Sequence, residues 1–135
     1  MRYKKLQVKE IPKWSGYLRE QWRRHFAKHL TKEEQLSIGM DCFLWYLCSW
    51  KKVQCYTNEE AIDAFNRQQK KSCTIFYQYT DEAYLIEKAE SLAIQELPYC
   101  RQHMYYGDIY IMDKEYKWTF VMTHEIACGP YFIQS

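Results

Sequence analysis

The chain closes with Trp118-Thr-Phe-Val-Met-Thr-His124-Glu125 and then, two residues on, Cys128-Gly-Pro-Tyr-Phe132, which brings an imidazole, a carboxylate and a thiol close together in sequence. An imidazolium beside a cysteine lowers the thiol pKa, and the thiolate is the attacking species, so Cys128 as nucleophile with His124 as base is one chemistry open to this cluster. The same two side chains could supply half of a zinc site, with Cys100 and His103 as distant ligands. The plainer reading is a histidine that satisfies a backbone carbonyl. No spacing here matches a metal, phosphate or nucleophile signature, so the sequence calls for no cofactor, no metal and no assigned catalytic residue.

Geometry restricts the cluster further. If residues 118–125 form a strand, Trp118, Phe120, Met122 and His124 share one face, while Thr119, Val121, Thr123 and Glu125 share the other. His124 and Glu125 then point apart unless the strand ends or bulges at that point. The phenols of Tyr105, Tyr106 and Tyr110, with Tyr116 and Tyr131, could gather at one end of a sheet. Together with His124 and Glu125 they would line a small-molecule or peptide pocket, and cross-strand aromatic pairing competes with that reading. The ligand-binding set expected from sequence is therefore Tyr110, Trp118, His124, Glu125 and Tyr131.

Two further constellations lie near the start. His25 and His29 have the four-residue spacing that sets two imidazoles on one helix face, but no Glu follows His25 to complete a zincin motif, and both fall beside Leu18 and Trp22 as core-edge residues. Arg19, Arg23, Arg24 and Lys28 make the same helix basic near Trp14 and Trp22. Such interleaving can grip a nucleic-acid backbone, yet most basic helix faces are simply solvated, and nucleic acid is disfavoured as a partner.

These side chains must be positioned by elements that the pattern predicts. Trp14, Tyr17, Leu18, Trp22, Phe26 and Leu30 recur at three- and four-residue steps, which predicts an amphipathic helix from Trp14 to Leu30. Thr31-Lys-Glu-Glu34 and Thr57-Asn-Glu-Glu60 each have the form of a capping box. The first opens a short helix ending near Gly39, and the second opens a helix that carries Ala61, Ile62 and Phe65 and closes on Lys70 and Lys71. The segment 42–50 is apolar at both parities and reads as a strand buried on two faces.

Strands are expected over Cys73–Tyr79 and Tyr84–Glu87, and Ser91 can cap a short helix that Pro98 terminates. Residues 108–113 and 118–125 form a hairpin, and Gly129-Pro130 turns the chain into a last extended piece, Tyr131–Ile133. Helices crowd the first half and adjacent strands the second. The class is α+β in a single domain, residues 1–135, with N-terminal helices packed on a mainly antiparallel sheet that ends in a C-terminal hairpin.

Composition agrees. With 135 residues and 47% apolar content the chain can build a core without staples, and disorder is excluded. The basic start leads into no apolar signal region, and the longest apolar run, Cys42 to Cys48, cannot span a bilayer, so a soluble cytoplasmic protein without membrane contact is expected. Six cysteines form no C-x-x-C pair and read as buried small hydrophobes in a reducing compartment. The net charge of +2 divides unevenly: residues 1–56 hold twelve Lys and Arg against five acids, and residues 57–135 hold seven against twelve. A basic half of this kind could meet a polyanion, a second copy or the acidic half of the same fold; the last is the simplest.

The closing motif, preceded by Asp108-Ile-Tyr-Ile-Met-Asp113-Lys-Glu-Tyr-Lys, resembles the signature of a family of small Gram-positive bacterial proteins known as domain of unknown function 4275. Phe43-Leu-Trp45, the stretch from Ala64-Phe65 through Phe76-Tyr-Gln-Tyr79, and Asp81-Glu82-Ala83 agree, so the resemblance spans roughly residues 14–133. It implies a compact bacterial domain and transfers no catalytic role. Taken together, the residues favour a non-enzymatic binding or interaction module over a small cysteine-dependent enzyme or a nucleic-acid binder. The sequence specifies neither the protein or small-molecule partner nor the oligomeric state.

Overall fold

A computed structural model of the chain describes residues 7–78, 80–92, 108–123 and 129–134. Seven strands form one antiparallel sheet: β1 (Gln7–Glu10), β2 (Tyr56–Thr57), β3 (Ser72–Tyr77), β4 (Ala83–Glu87), β5 (Ile109–Asp113), β6 (Trp118–Met122) and β7 (Tyr131–Gln134). Their order is β1-β4-β3-β5-β6-β7-β2. Helices cover both faces, so the central strands β3, β5 and β6 are buried at both parities, as their Ile, Phe, Tyr and Val content demands. The protein is an α+β domain, with the expected hairpin formed by β5 and β6 in a register that pairs Tyr110 with Val121 and Met112 with Thr119.

One layer is built from α1 (Ser15–Phe26), α2 (Lys32–Ser37) and α3 (Tyr46–Ser49). Leu18, Trp22 and Phe26 of α1 descend onto Phe76, Tyr110, Met112, Val121, Tyr131 and Ile133 of the sheet. On the opposite face α4 (Asn58–Arg67) lays Ala61 and Phe65 over Trp118, Phe120 and Phe132. Phe65 stacks on Phe120 at 4.7 Å and meets Trp118 edge-on at 5.7 Å. Fully burying a side chain of this size stabilises by about 1.5–3 kcal/mol, so each layer is secured by a few large rings.

Several expectations are corrected. Helix α1 ends at Phe26, with a 3-10 turn at Pro12–Trp14 ahead of it, so His29 lies off the helix. The amide of Gln35 donates to the carbonyls of Ala27 and Leu30, both at 3.3 Å, and satisfies groups that a longer helix would have bonded internally. The segment 42–50 is not a strand. It turns and forms α3, because Leu44, Leu47 and Cys48 bury together on a helical period, while the N–H groups of Leu44 and Trp45 bond to side chains of Gln78 and Tyr110 in the sheet.

The two capping motifs part company. Thr31 accepts from the Glu34 N–H at 3.1 Å and the Glu34 carboxylate accepts from the Thr31 N–H at 2.9 Å, a complete box. Thr57 makes no side-chain cap. It is paired to Tyr131 in β2, and Asn58, at φ 55°, gives its N–H to the Pro130 carbonyl. Helix α4 also ends at Arg67, before Lys70, whose amine lies 4.4 Å over the Phe65 ring and is buried.

Gly129, at φ +89° before a cis Pro130, turns the chain as its sequence suggested; a Cβ there would sit 3.0 Å from Thr123 Oγ1. The expected short helix begins as a 3-10 turn, Ala89–Ser91, and its continuation toward Pro98 lies outside the described residues.

Candidate functional site

His124, Glu125 and Cys128 lie outside the described residues, as do Cys100, His103, Tyr105 and Tyr106. The other members of the expected binding set are placed in the core. Tyr110 is fully buried, stacked on Phe76 at 4.9 Å and edge-on to Trp22 at 5.6 Å. Tyr131 and Tyr110 flank Val121 in one row across the sheet, both on the α1 face. Trp118 belongs to the opposite face, stacked on Phe132 at 5.9 Å. The strand alternation expected for residues 118–122 is present, and it is this alternation that divides Trp118 from the two tyrosines.

The histidines of the first helix are also used locally. His25 stacks flat on Tyr116 from the β5–β6 turn, with centroids 3.9 Å apart and planes within 4°. His29 Nε2 meets the Lys52 carbonyl at 2.5 Å. No group of three or more His, Cys, Asp or Glu able to hold a metal occurs among the described residues. Arg19 donates to the carbonyls of Tyr77 at 2.9 Å and Thr80 at 2.6 Å, so it ties α1 to the end of β3 rather than facing outward.

An open groove of about 510 Å³ lies between the C-terminal half of α1 and α2. Arg23, Arg24, Lys28 and Lys32 line it, with Gln35, Leu36 and Met40 as its floor and rim and Glu20 and Asp41 at its margin. Helix period explains part of the convergence: with Leu18, Trp22 and Phe26 turned into the core, Arg23 and Arg24 emerge on the flank toward α2, and Lys28 follows in the turn past the helix end. Glu20 offsets part of the charge through contacts to Arg23 at 3.6 Å and Arg24 at 3.7 Å. Arg23 Nε is buried without a hydrogen-bond partner, and Leu36 is 60% exposed.

Among the described residues, all that line the groove come from the first 56. The exposed acids Glu59, Glu60 and Asp63 sit on α4, across the sheet. Basic residues in the first half were a usable signal; that α2 would fold back beside them was not.

A second pocket, of about 570 Å³, is lined by Cys48, Ser49, Lys51, Lys52, Val53, Gln54, Cys55, Thr57 and Tyr131. Cys48 and Cys73 are buried as expected, whereas Cys42 is exposed and Cys55 half-buried, because the segment that carries them turns at the surface instead of entering the sheet. Cys48, Cys55 and Cys73 are free thiols.

Sheet, helical layers and groove together define an α+β domain with an exposed basic cleft on one helical layer. Among the described residues no helix is long and apolar enough to cross a membrane. The chain belongs to the family described as domain of unknown function DUF4275, whose pattern matches residues 1–132. No curated protein and no solved structure matches it.

Proposed function

We propose that this is a non-enzymatic interaction module of the bacterial cytoplasm, and that its docking surface is the basic groove between α1 and α2. The observation that supports this reading most directly is the convergence of Arg23, Arg24, Lys28 and Lys32 on an open cleft that, among the described residues, no acidic residue of the second half lines. The occupant that fits is a short acidic segment of a partner protein. Carboxylates would take the four cations, and one apolar side chain would rest on the exposed Leu36.

Glu20 and Asp41 also line the groove and repel peptide carboxylates and phosphates alike, so an oligonucleotide is the control that separates a peptide from nucleic acid. The test is fluorescence anisotropy with a labelled peptide of glutamates around one central phenylalanine, set against a lysine counterpart and a single-stranded oligonucleotide. Binding of the acidic peptide that weakens with salt and is lost in Arg24→Glu/Lys28→Glu supports the reading. Tighter binding of the oligonucleotide, or indifference to the charge reversal, refutes it.

A further inference from the structure

The second pocket holds two thiols from neighbouring turns of the chain. Cys48 closes α3 with its side chain in the core, and Cys55, just before β2, packs against the same cluster while remaining half-exposed. Both thiols line one pocket and pack in one apolar cluster; the neighbouring Cys48 thiol holds Cys55 below its ordinary range, while Cys55 and then burial push Cys48 up. Cys73 shows the contrast, since burial and the neighbouring Asp113 push its thiol up to about 12. An accessible thiol with a donor beside it is the arrangement of an attacking sulfur and a resolving one.

We infer that Cys48 and Cys55 form a peroxide-reactive pair, in which Cys55 is oxidised first and Cys48 resolves it to an intramolecular disulfide across the loop at 49–54. The pocket that both line, about 570 Å³ and open to solvent, admits a small hydroperoxide to Cys55. The Cys55 thiolate attacks one peroxide oxygen; the O–O bond breaks, hydroxide leaves, and Cys55 becomes a sulfenic acid. The Cys48 sulfur then attacks the Cys55 sulfur, the S–O bond breaks, and the oxygen departs as water with the Cys48 proton. The hydroxide takes up the proton released when the Cys55 thiolate formed. Two thiols and one hydrogen peroxide thus become one disulfide and two waters. This site is separate from the basic groove and does not depend on it.

The test uses the full-length reduced protein carrying Cys42→Ser, treated with equimolar hydrogen peroxide, alkylated and digested with trypsin. Cleavage after Lys51 and Lys52 separates position 48 from position 55, so a bond between them appears as two linked peptides, two hydrogens lighter than their sum. The expected result is that linked pair, reversed by dithiothreitol and absent after Cys55→Ser. In Cys48→Ser, dimedone should instead trap Cys55 as a sulfenic acid. Both thiols alkylating in full after peroxide treatment would overturn the inference. So would oxidation of Cys55 that is no faster in the native protein than in the urea-unfolded chain. The linked-peptide measurement needs no substitution at position 48 and stands even where Cys48→Ser fails to fold.

Discussion

The indole Nε1 of Trp22 donates to Thr119 Oγ1 at 2.9 Å, and the Thr119 hydroxyl in turn donates to the Ile111 carbonyl at 2.7 Å. Both side chains are fully buried, so this short relay is a buried polar joint between α1 and the sheet. A hydroxyl is required because one atom must accept from the indole and donate to the carbonyl. Thr119→Val keeps the shape but leaves the Trp22 indole N–H without its acceptor and the Ile111 carbonyl without its second donor. The expected loss is about 2–3 kcal/mol in denaturant unfolding, with Thr119→Ser recovering most of it. Equal stability for the valine variant would show that the relay contributes nothing.

Tyr110 joins the sheet to the segment that sequence misread as a strand. Its hydroxyl donates to Gln78 Oε1 and accepts from the Trp45 N–H at 3.3 Å, while Gln78 Oε1 also accepts from the Leu44 N–H at 3.0 Å. Burial, first, and the nearby Asp108 hold the phenol well above its ordinary range. A phenol whose folded pKa is raised supports the fold below the unfolded value, about 10, and that support is lost as pH climbs beyond it. Stability should therefore fall from pH ~10 upward, and Tyr110→Phe should flatten that alkaline limb while costing about 1–2 kcal/mol at neutral pH. A limb of unchanged steepness in the variant would assign the loss to other groups.

Much of the architecture could be read from residue order, and the misses share a cause. Alternation identified β5 and β6 and divided Trp118 from Val121, and the three- and four-residue steps of Leu18, Trp22 and Phe26 identified α1. What sequence could not show was where polar side chains from distant elements would satisfy backbone groups. Gln35 lets α1 stop at Phe26, and Gln78 with Tyr110 holds residues 44 and 45 away from any ladder. Of the expected aromatic site, Tyr110 and Tyr131 are used between layers and His124 and Glu125 lie outside the described residues, whereas the basic groove depends on α2 folding back beside α1. Sequence gave Arg19 to the same exposed basic face; its bonds to Tyr77 and Thr80 take it elsewhere.

The two capping motifs offer a controlled comparison. Thr31→Ala removes an acceptor that the Glu34 N–H uses, and leaves the Glu34 carboxylate, held below its usual range by its bonds to Thr31, with half of its reciprocal pair. The cost should be about 1 kcal/mol. Thr57→Ala removes no cap bond and should cost only a few tenths, the scale of a β-propensity change on an edge strand. Urea titrations of the two variants side by side check the contrast, and equal losses would mean that the motif, rather than the bond, sets the energy.

His25 makes the fold sensitive to mild acid. Burial against the Tyr116 ring, then the charges of Lys28 and Arg24, hold its pKa below the ordinary histidine value. The unfolded chain therefore takes up a proton on this ring at a higher pH than the folded one does, so stability is full above about pH 6.5 and declines as pH falls below it. The decline is small, because the ring is partly exposed and salt screens both cations. Thermal unfolding between pH 7.5 and 5.5 should show the wild type losing more stability than His25→Phe, which keeps the stack on Tyr116 and cannot charge. Added salt should narrow the gap between the two proteins. Parallel pH profiles would show that the stack tolerates the imidazolium, and would place the origin of any acid sensitivity elsewhere in the molecule.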